Sequence, residues 1–384
     1  MNPKDAARAR VEAARDDLIE LSHRIHANPE LRFEEEKAAK WLADLLEGGG
    51  MAVERGVHDL PTAFIARAGS GPLHVAICAE YDCLPAIGHA CGHNIIAMAA
   101  AGAGLALAAV ADEIGLTVSV IGTPGEEGGG GKILLLERGA FEGQHAAMMV
   151  HPAPTDVLDP LMIAVQGVEV RYRGKESHAA AYPQRGINAA DALTVAQVAI
   201  GLLRQHIHST DRIHGIVTKG GDAINVIPSH TTARYGIRAR TIDKLDDLRA
   251  KVVACFEAGA VATGAELELT FSERPYAHLQ QDADIVAAYR KNAEALGRTF
   301  REGPGADRFP GSTDMGNVSL ALPSIHPLIG IGSLPAVNHQ PEFAEHCATA
   351  AADKACIDGA LAMAWTAIDL AAEGPLRERL LSRH

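Results

Sequence analysis

Two adjacent glutamates, a Cys-x-His pair and two isolated histidines are the side chains here that could share one chemistry. Cys91 and His93 stand two apart in H-A-C-G-H-N (89–94), close enough to serve one metal centre, and Gly92 between them permits a tight backbone path. Glu126 and Glu127 follow Pro124-Gly125 and precede Gly128–Gly131, a run that offers no side chains to solvate them. His151 stands before Pro152, and His339 lies in V-N-H-Q-P-E-F. Singly, each has a plainer reading as a buried cysteine, a solvated acidic loop, or a surface or core histidine. Together, thiol, imidazole and carboxylate make a transition-metal donor set. Two neighbouring acids also allow one to bind metal while the other moves protons, the division of labour that metal-dependent hydrolysis needs.

The elements that must position these residues are legible as apolar runs. Leu73–Ala79 leads into Glu80-Tyr81-Asp82, Thr117–Ile121 into the loop Thr123–Gly131, and Ala146–Val150 into His151. Open α/β sheets bind ligands beyond the carboxyl ends of their strands, so these loops are expected to converge on one crevice. A further strand is predicted over Ala63–Arg67, and helices over Val11–His26 and Glu35–Leu46, the second ending at Gly48-Gly49-Gly50. Ile95–Ala111, mostly Ala and Gly, is shorter than the roughly 20 strongly apolar residues of a membrane span. It reads as a helix buried against the sheet. The fold class is therefore α/β, a mainly parallel sheet covered by helices.

After Ala164 the pattern changes. Met162–Arg173 alternates like a half-buried strand, followed by a helix over Asn188–His206, strands over Ile213–Thr218 and Thr231–Arg240, a helix over Leu245–Ala262 and a strand over Glu266–Phe271. This β-α-β-β-α-β order is the split ferredoxin-like arrangement. It predicts a catalytic metal-binding domain over 1–164 and 276–384, with an inserted α+β domain over 165–275. Beyond Asp284 the reading is a Gly- and Pro-rich loop over Gly303–Thr313, a strand over Ile325–Gly330 and a long helix over Ala344–Ala372.

Bulk properties narrow the function classes. The chain has 384 residues, 47% of them apolar and 22% charged, which describes a globular protein with room for two domains. A net charge of −13 argues against a nucleic-acid or anionic-membrane partner. Six scattered cysteines and a charged N-terminus without an apolar signal core fit a reduced, cytoplasmic setting.

The segments D-C-L-P-A-I-G-H-A-C-G-H-N, P-G-E-E-G-G-G-G-K, G-K-E-S-H-A-A-A-Y-P and I-N-V-I-P occur in that order. They resemble the metal-dependent amidohydrolase and metallopeptidase family of aminoacylases, p-aminobenzoyl-glutamate hydrolase, auxin-conjugate hydrolases and β-alanyl dipeptidases. The E-Y-D-x-L-P-x-I-G-H-A-C-G-H-N form is most similar to the p-aminobenzoyl-glutamate hydrolase and β-alanyl-dipeptidase branch, and the resemblance spans essentially the whole chain. It implies that Cys91, His93, Glu127, His151 and His339 hold two divalent ions, zinc foremost, with cobalt or manganese as alternatives. By the same resemblance the Cys91 thiolate bridges the ions, with His93 and His151 on one and Glu127 and His339 on the other. Glu126 is implied as general base and Asp82 as the acid that steadies the ligands.

The resemblance also reaches the inserted domain, which it implies is a lid and homodimerisation domain. His178 matches a histidine that reaches the scissile carbonyl, often from the other protomer of a dimer. Asn225 and Arg238 match positions that hold the substrate's carboxylate or amide, Arg being suited to a carboxylate by its planar fork. Gly311, Ser312 and Thr313 of G-S-T-D match a substrate-binding loop, in which Asp314 is equally readable as a turn acid. A second arginine for a carboxylate has no motif here, Arg301 and Arg308 being the options. The implied reaction is hydrolysis of an amide bond in an N-acyl amino acid or dipeptide-like substrate. Two alternatives are a hydrolase using Cys91 as a thiol nucleophile and a catalytically silent relative that binds a metabolite.

Overall fold

The structure, a computed structural model, describes residues 2–300 and 311–383. Its strands are β1 (Ala52–Arg55), β2 (Phe64–Ala68), β3 (Leu73–Ala79), β4 (Leu116–Gly122), β5 (Ala146–Met148), β6 (His151–Ala153), β7 (Ala164–Arg173), β8 (Arg212–Lys219), β9 (His230–Ala239), β10 (Glu266–Phe271), β11 (Ser324–Ile325) and β12 (Leu328–Gly330). One sheet runs β1-β2-β4-β3-β5-β11. Its strands β4, β3, β5 and β11 pair in parallel, while β1–β2 and β2–β4 are antiparallel. β3 is buried on both faces except at His74, which is why it reads as a continuous apolar run. β1 is mostly exposed and only four residues long, so A-V-E-R carries no such signal.

The helix His93–Ala108 is buried along nearly its whole length and packs against β3 and the helix Ala350–Ala371. Its Ala and Gly content serves close packing in the core. Among the described residues no single helix is long and apolar enough to cross a membrane.

Three expected elements are divided in the structure. Val11–His26 is not one helix: Pro3–Ala13 and Arg15–His26 meet at Ala14, and Asp16 and Asp17 give the second helix its own acidic first turn. The strand expected over Ile325–Gly330 is two, because Pro327 between them has no N–H to donate. β11 joins the large sheet, and β12 pairs in parallel with β6 in a separate two-stranded sheet. The helix expected over Ala344–Ala372 is Pro341–His346 followed by Ala350–Ala371, the latter restarted by the Thr349 hydroxyl, which accepts from the Ala352 N–H.

The chain forms two compact units. The first contains residues up to Leu161 and those from Gln280 onward, apart from Gly311–Gly316. The second comprises Met162–Leu279 together with Gly311–Gly316. Its elements run β7, helix Ala189–Leu203, β8, β9, helix Ile242–Thr263, β10, in an antiparallel sheet ordered β10-β7-β9-β8. β7 alternates buried and half-buried residues, and its inward Val168, Val170 and Tyr172 pack with Ala192, Leu248, Val252 and Phe256 of the two helices.

Candidate metal centre

The loops after β3 and β4, the start of β6 and the turn at His339 bring the expected ligands together in the first unit. Gly92 takes φ 77°, and a Cβ there would lie 2.5 Å from Pro152 Cγ, so only glycine allows the turn between Cys91 and His93. The Asp82 carboxylate bonds twice: His93 Nδ1 lies 2.9 Å from Oδ1, and the Glu127 backbone N–H donates to Oδ2 at 2.9 Å. One acid thereby sets the imidazole's tautomer and the position of the acidic loop. His151 Nδ1 lies 2.8 Å from the Pro152 carbonyl oxygen, which puts its proton there and presents Nε2 to Cys91 Sγ at 3.5 Å. His339 adopts φ 69°, sparsely populated for a residue with a side chain. Its N–H donates to the Ala90 carbonyl, and its Nε2 lies 3.5 Å from Cys91 Sγ and 3.6 Å from Glu127 Oε1.

The donor atoms fall into overlapping sets. Those of Cys91, His93 and His151 lie within 4.8 Å of one another, as do those of Cys91, Glu127 and His339, and those of Glu80, His93 and Glu126. Cys91 belongs to two sets. The residues fit divalent cations on a further ground. His93 Nε2 and Glu127 Oε1, 4.0 Å apart, are buried without a well-formed hydrogen bond among the described residues, a costly arrangement unless a cation lies between them. The electrostatics agree. Burial would lower the His93 imidazole's affinity for a proton, but Asp82 and Glu80 outweigh it and raise its pKa well above the usual value. The carboxylates thus favour positive charge at this spot, which a divalent ion supplies. Burial, then Glu127, pushes the Cys91 thiol well up, and burial, then His326, holds His151 down to about 3.

Glu126, which is buried, and Glu127 open the short helix Glu126–Gly129. The preceding Gly125 has φ 70°, with the Phe33 ring against it. The segment around Phe33 braces the loop in a way the motifs did not reveal. Arg32 donates to the Glu127 carbonyl oxygen, and the buried Glu35 carboxylate accepts from the Gly125 N–H at 2.8 Å. Burial pushes the Glu35 carboxyl up to about 7.

Three more buried groups escaped the sequence reading. Glu80 and Lys132 form an ion pair beside His93, and the His326 ring stacks on His151 with centroids 5.5 Å apart. The only hints were an acid at a strand end and a lone lysine opening an apolar run.

The remaining expected residues lie in the second unit. His178 Nδ1 accepts from the Ala180 and Ala181 N–H groups at 3.2 and 3.1 Å, which places the proton of the neutral ring on Nε2 as a donor. Asn225 is exposed, and its carbonyl accepts from the Ala179 N–H. Arg238 donates to Ser312 Oγ at 2.8 Å, and that hydroxyl donates to the Ile163 carbonyl oxygen. Gly311 accepts from the Ile163 N–H, and the Thr313 hydroxyl accepts from the Met315 N–H. Asp314 is buried. Arg301 and Arg308 lie outside the described residues.

Comparison with known proteins places this geometry. The model of peptidase family M20/M25/M40 matches residues 79–356, a stretch that carries all five expected ligands. The chain belongs to this family. An Xaa-Arg dipeptidase of Mus musculus is 39% identical over 382 residues, covering 96% of this chain and 88% of the relative. An Xaa-Arg dipeptidase of Homo sapiens is 38% identical over 379 residues, 94% of this chain and 87% of the relative. A dinuclear metal binding peptidase of the M20 family from Bacillus subtilis shares the fold with a TM-score of 0.69 at 23% identity, over 92% of this chain and 98% of that one. As an M20 peptidase the chain is a metal-dependent hydrolase of amide bonds in small substrates.

Proposed function

We propose that this M20 peptidase is a two-metal dipeptidase whose first substrates to test are Xaa-Arg dipeptides, with other dipeptide-like amides and N-acyl amino acids as the wider class. The observation that carries the reading is Cys91 shared between the donor set with His93 and His151 and the set with Glu127 and His339. A soft thiolate beside imidazoles favours zinc, with cobalt and manganese as substitutes. The name of the 39% identical relative supports the substrate.

Divalent ions bound in the two sets supply Lewis acidity to the scissile carbonyl and acidify water at the centre. The chain's own residues do the rest. Glu126, buried in the set with His93 and Glu80, takes the proton of the attacking water and returns it to the leaving nitrogen. Asp82 keeps His93 Nε2 and the Glu127 loop aimed inward. His178 donates from Nε2 to the developing oxyanion, Arg238 pairs with the substrate carboxylate, Asn225 bonds the amide, and the Gly311–Thr313 loop holds Arg238 through Ser312. A thiol-nucleophile reading is disfavoured, since Cys91 Sγ lies in both donor sets and as a ligand is taken up by the ions.

The test is mass-spectrometric hydrolysis by protein loaded separately with zinc, cobalt or manganese. The panel holds Xaa-Arg and β-alanyl dipeptides, p-aminobenzoyl-glutamate and N-acyl amino acids, each beside a carboxylate-blocked partner. Cleavage of the Xaa-Arg dipeptides, slower when blocked, is expected. No cleavage of any member by protein carrying two ions would contradict the proposal.

The reading includes a homodimer formed through the second unit, acting as a lid and dimerisation domain. Support comes from the edge strand β8, which leaves Ile216 and Val217 exposed, with Ile224 fully exposed beyond it. Mixing His178→Ala protein with Glu126→Gln protein is expected to recover part of the activity, because one hybrid site then carries both native residues. No recovery despite exchange of protomers would mean that each site is complete within one chain.

A further inference from the structure

The two residues that flank the proposed base each give their backbone N–H to a different buried carboxylate. Glu127 donates to Asp82 Oδ2 at 2.9 Å, and Gly125 donates to Glu35 Oε1 at 2.8 Å. Glu126 is therefore slung between two anchors, of which the mechanism above uses only Asp82. The same Glu35 oxygen accepts from the Phe33 N–H at 2.8 Å, and Oε2 accepts from the Thr62 hydroxyl at 3.0 Å. The Thr62 carbonyl oxygen in turn accepts from the buried Tyr81 hydroxyl at 2.6 Å, and Tyr81 directly precedes Asp82. The two anchors are thus joined behind the loop.

A helix cap does not explain Glu35. It stands at the start of the helix Glu36–Gly48, yet its side chain makes no bond to that helix and reaches instead to the turn after β4. Its carboxylate is fully buried, a costly placement without bonds of this kind. Phe33 is held at φ 64°, uncommon for a residue with a side chain, and its ring lies against Gly125 and Gly129. Such backbone strain persists only where the surroundings fix it. One Glu35 oxygen ties the strained Phe33 turn to the Gly125 turn.

The geometry points to Glu35 as a positioning residue for the reaction, which with Asp82 fixes both ends of the Glu126 segment and so holds the base where proton transfer needs it. The inference rests on Glu126 being the base, as given under the proposed function. The role depends on reach more than on charge, because an acceptor must span from Glu35 to Gly125.

The experiment measures kcat, KM and bound metal for Glu35→Asp and Glu35→Gln, each in the wild-type and the Glu126→Gln background. Aspartate keeps the charge but falls one methylene short of Gly125. Glutamine keeps the reach, its amide oxygen accepting from Phe33 and Gly125 while its NH2 faces the Thr62 hydroxyl. Glu35→Asp is expected to bind metal at wild-type stoichiometry and to lose about tenfold to a hundredfold in kcat, the scale of a small misplacement. KM is expected to move little. Glu35→Gln is expected to recover most of the kcat. In the Glu126→Gln background Glu35→Asp is expected to add no further loss, since the base that it positions is gone.

Wild-type kcat in Glu35→Asp would overturn the inference. So would loss of a bound ion in that variant, which would assign Glu35 to the support of the ligands. An equal further loss in the Glu126→Gln background would overturn it as well, since Glu35 would then not act through the base. A Glu35→Gln protein as slow as Glu35→Asp would show that reach alone does not hold the loop. If Glu35→Asp does not fold, Glu35→Met, similar in volume and without an acceptor, makes the same comparison with Glu35→Gln. Wild-type kcat in the single Glu126→Gln variant would defeat the base reading itself, a result distinguishable from all of these.

Discussion

Glu126→Gln is expected to fold, bind metal at wild-type stoichiometry and lose roughly 10²–10⁴-fold in kcat, the range carried by a positioned general base. The substitution keeps the volume and the backbone setting, in which Gly125 turns the chain at φ 70° and the Glu35 carboxylate holds the Gly125 N–H. It removes only the ability to take up a proton. Glu127 keeps its place, because its N–H is held by Asp82 rather than by the Glu126 side chain. KM is therefore expected to move little while kcat collapses. Stopped assays on protein of verified metal content decide the matter, and parental kcat in a fully loaded Gln variant would remove Glu126 as the base.

Cys91→Ala is expected to do more to metal content than any other single ligand change, because Cys91 Sγ belongs to both subsets of the five ligands whereas His151 and His339 each serve one. The alanine variant should lose tight binding of both ions together. Activity at micromolar metal should fall by about 4 kcal/mol of transition-state stabilisation, or roughly a thousandfold. His339→Ala should keep the ion on His93 and His151 and lose the other. Elemental analysis after gel filtration separates the patterns. Retention of two tightly held ions in Cys91→Ala would show that the thiol is not shared.

The parts of the fold that position the centre were legible because buried parallel strands leave uninterrupted apolar runs. Leu73–Ala79 has the same limits in the sequence reading and in the structure, and each run stops where donor side chains begin. H-A-C-G-H-N was legible because its spacing is short and its glycine obligatory. What escaped lacks local periodicity or depends on distant partners. Ala14, Pro327 and Thr349 each divide an element whose apolar spacing continues past the break. β1 carries no apolar run, since it lies at the sheet's exposed edge. Glu80 and Lys132 lie 52 positions apart, and nothing in either neighbourhood shows that both are buried. Glu35 is likewise 90 positions from the Gly125 N–H that it accepts from. Long-range polar pairing of this kind is set by the packed fold and leaves no repeat in the sequence.

The most direct test of the central claim is a metal titration of hydrolysis. Protein stripped by exhaustive chelation is supplied with zinc or cobalt in fractions of an equivalent, and cleavage of an Xaa-Arg dipeptide is followed beside bound-metal content. No activity is expected in the stripped protein, and full activity only when two equivalents are bound. Undiminished hydrolysis by the stripped protein, or a plateau reached at one bound equivalent, would contradict it.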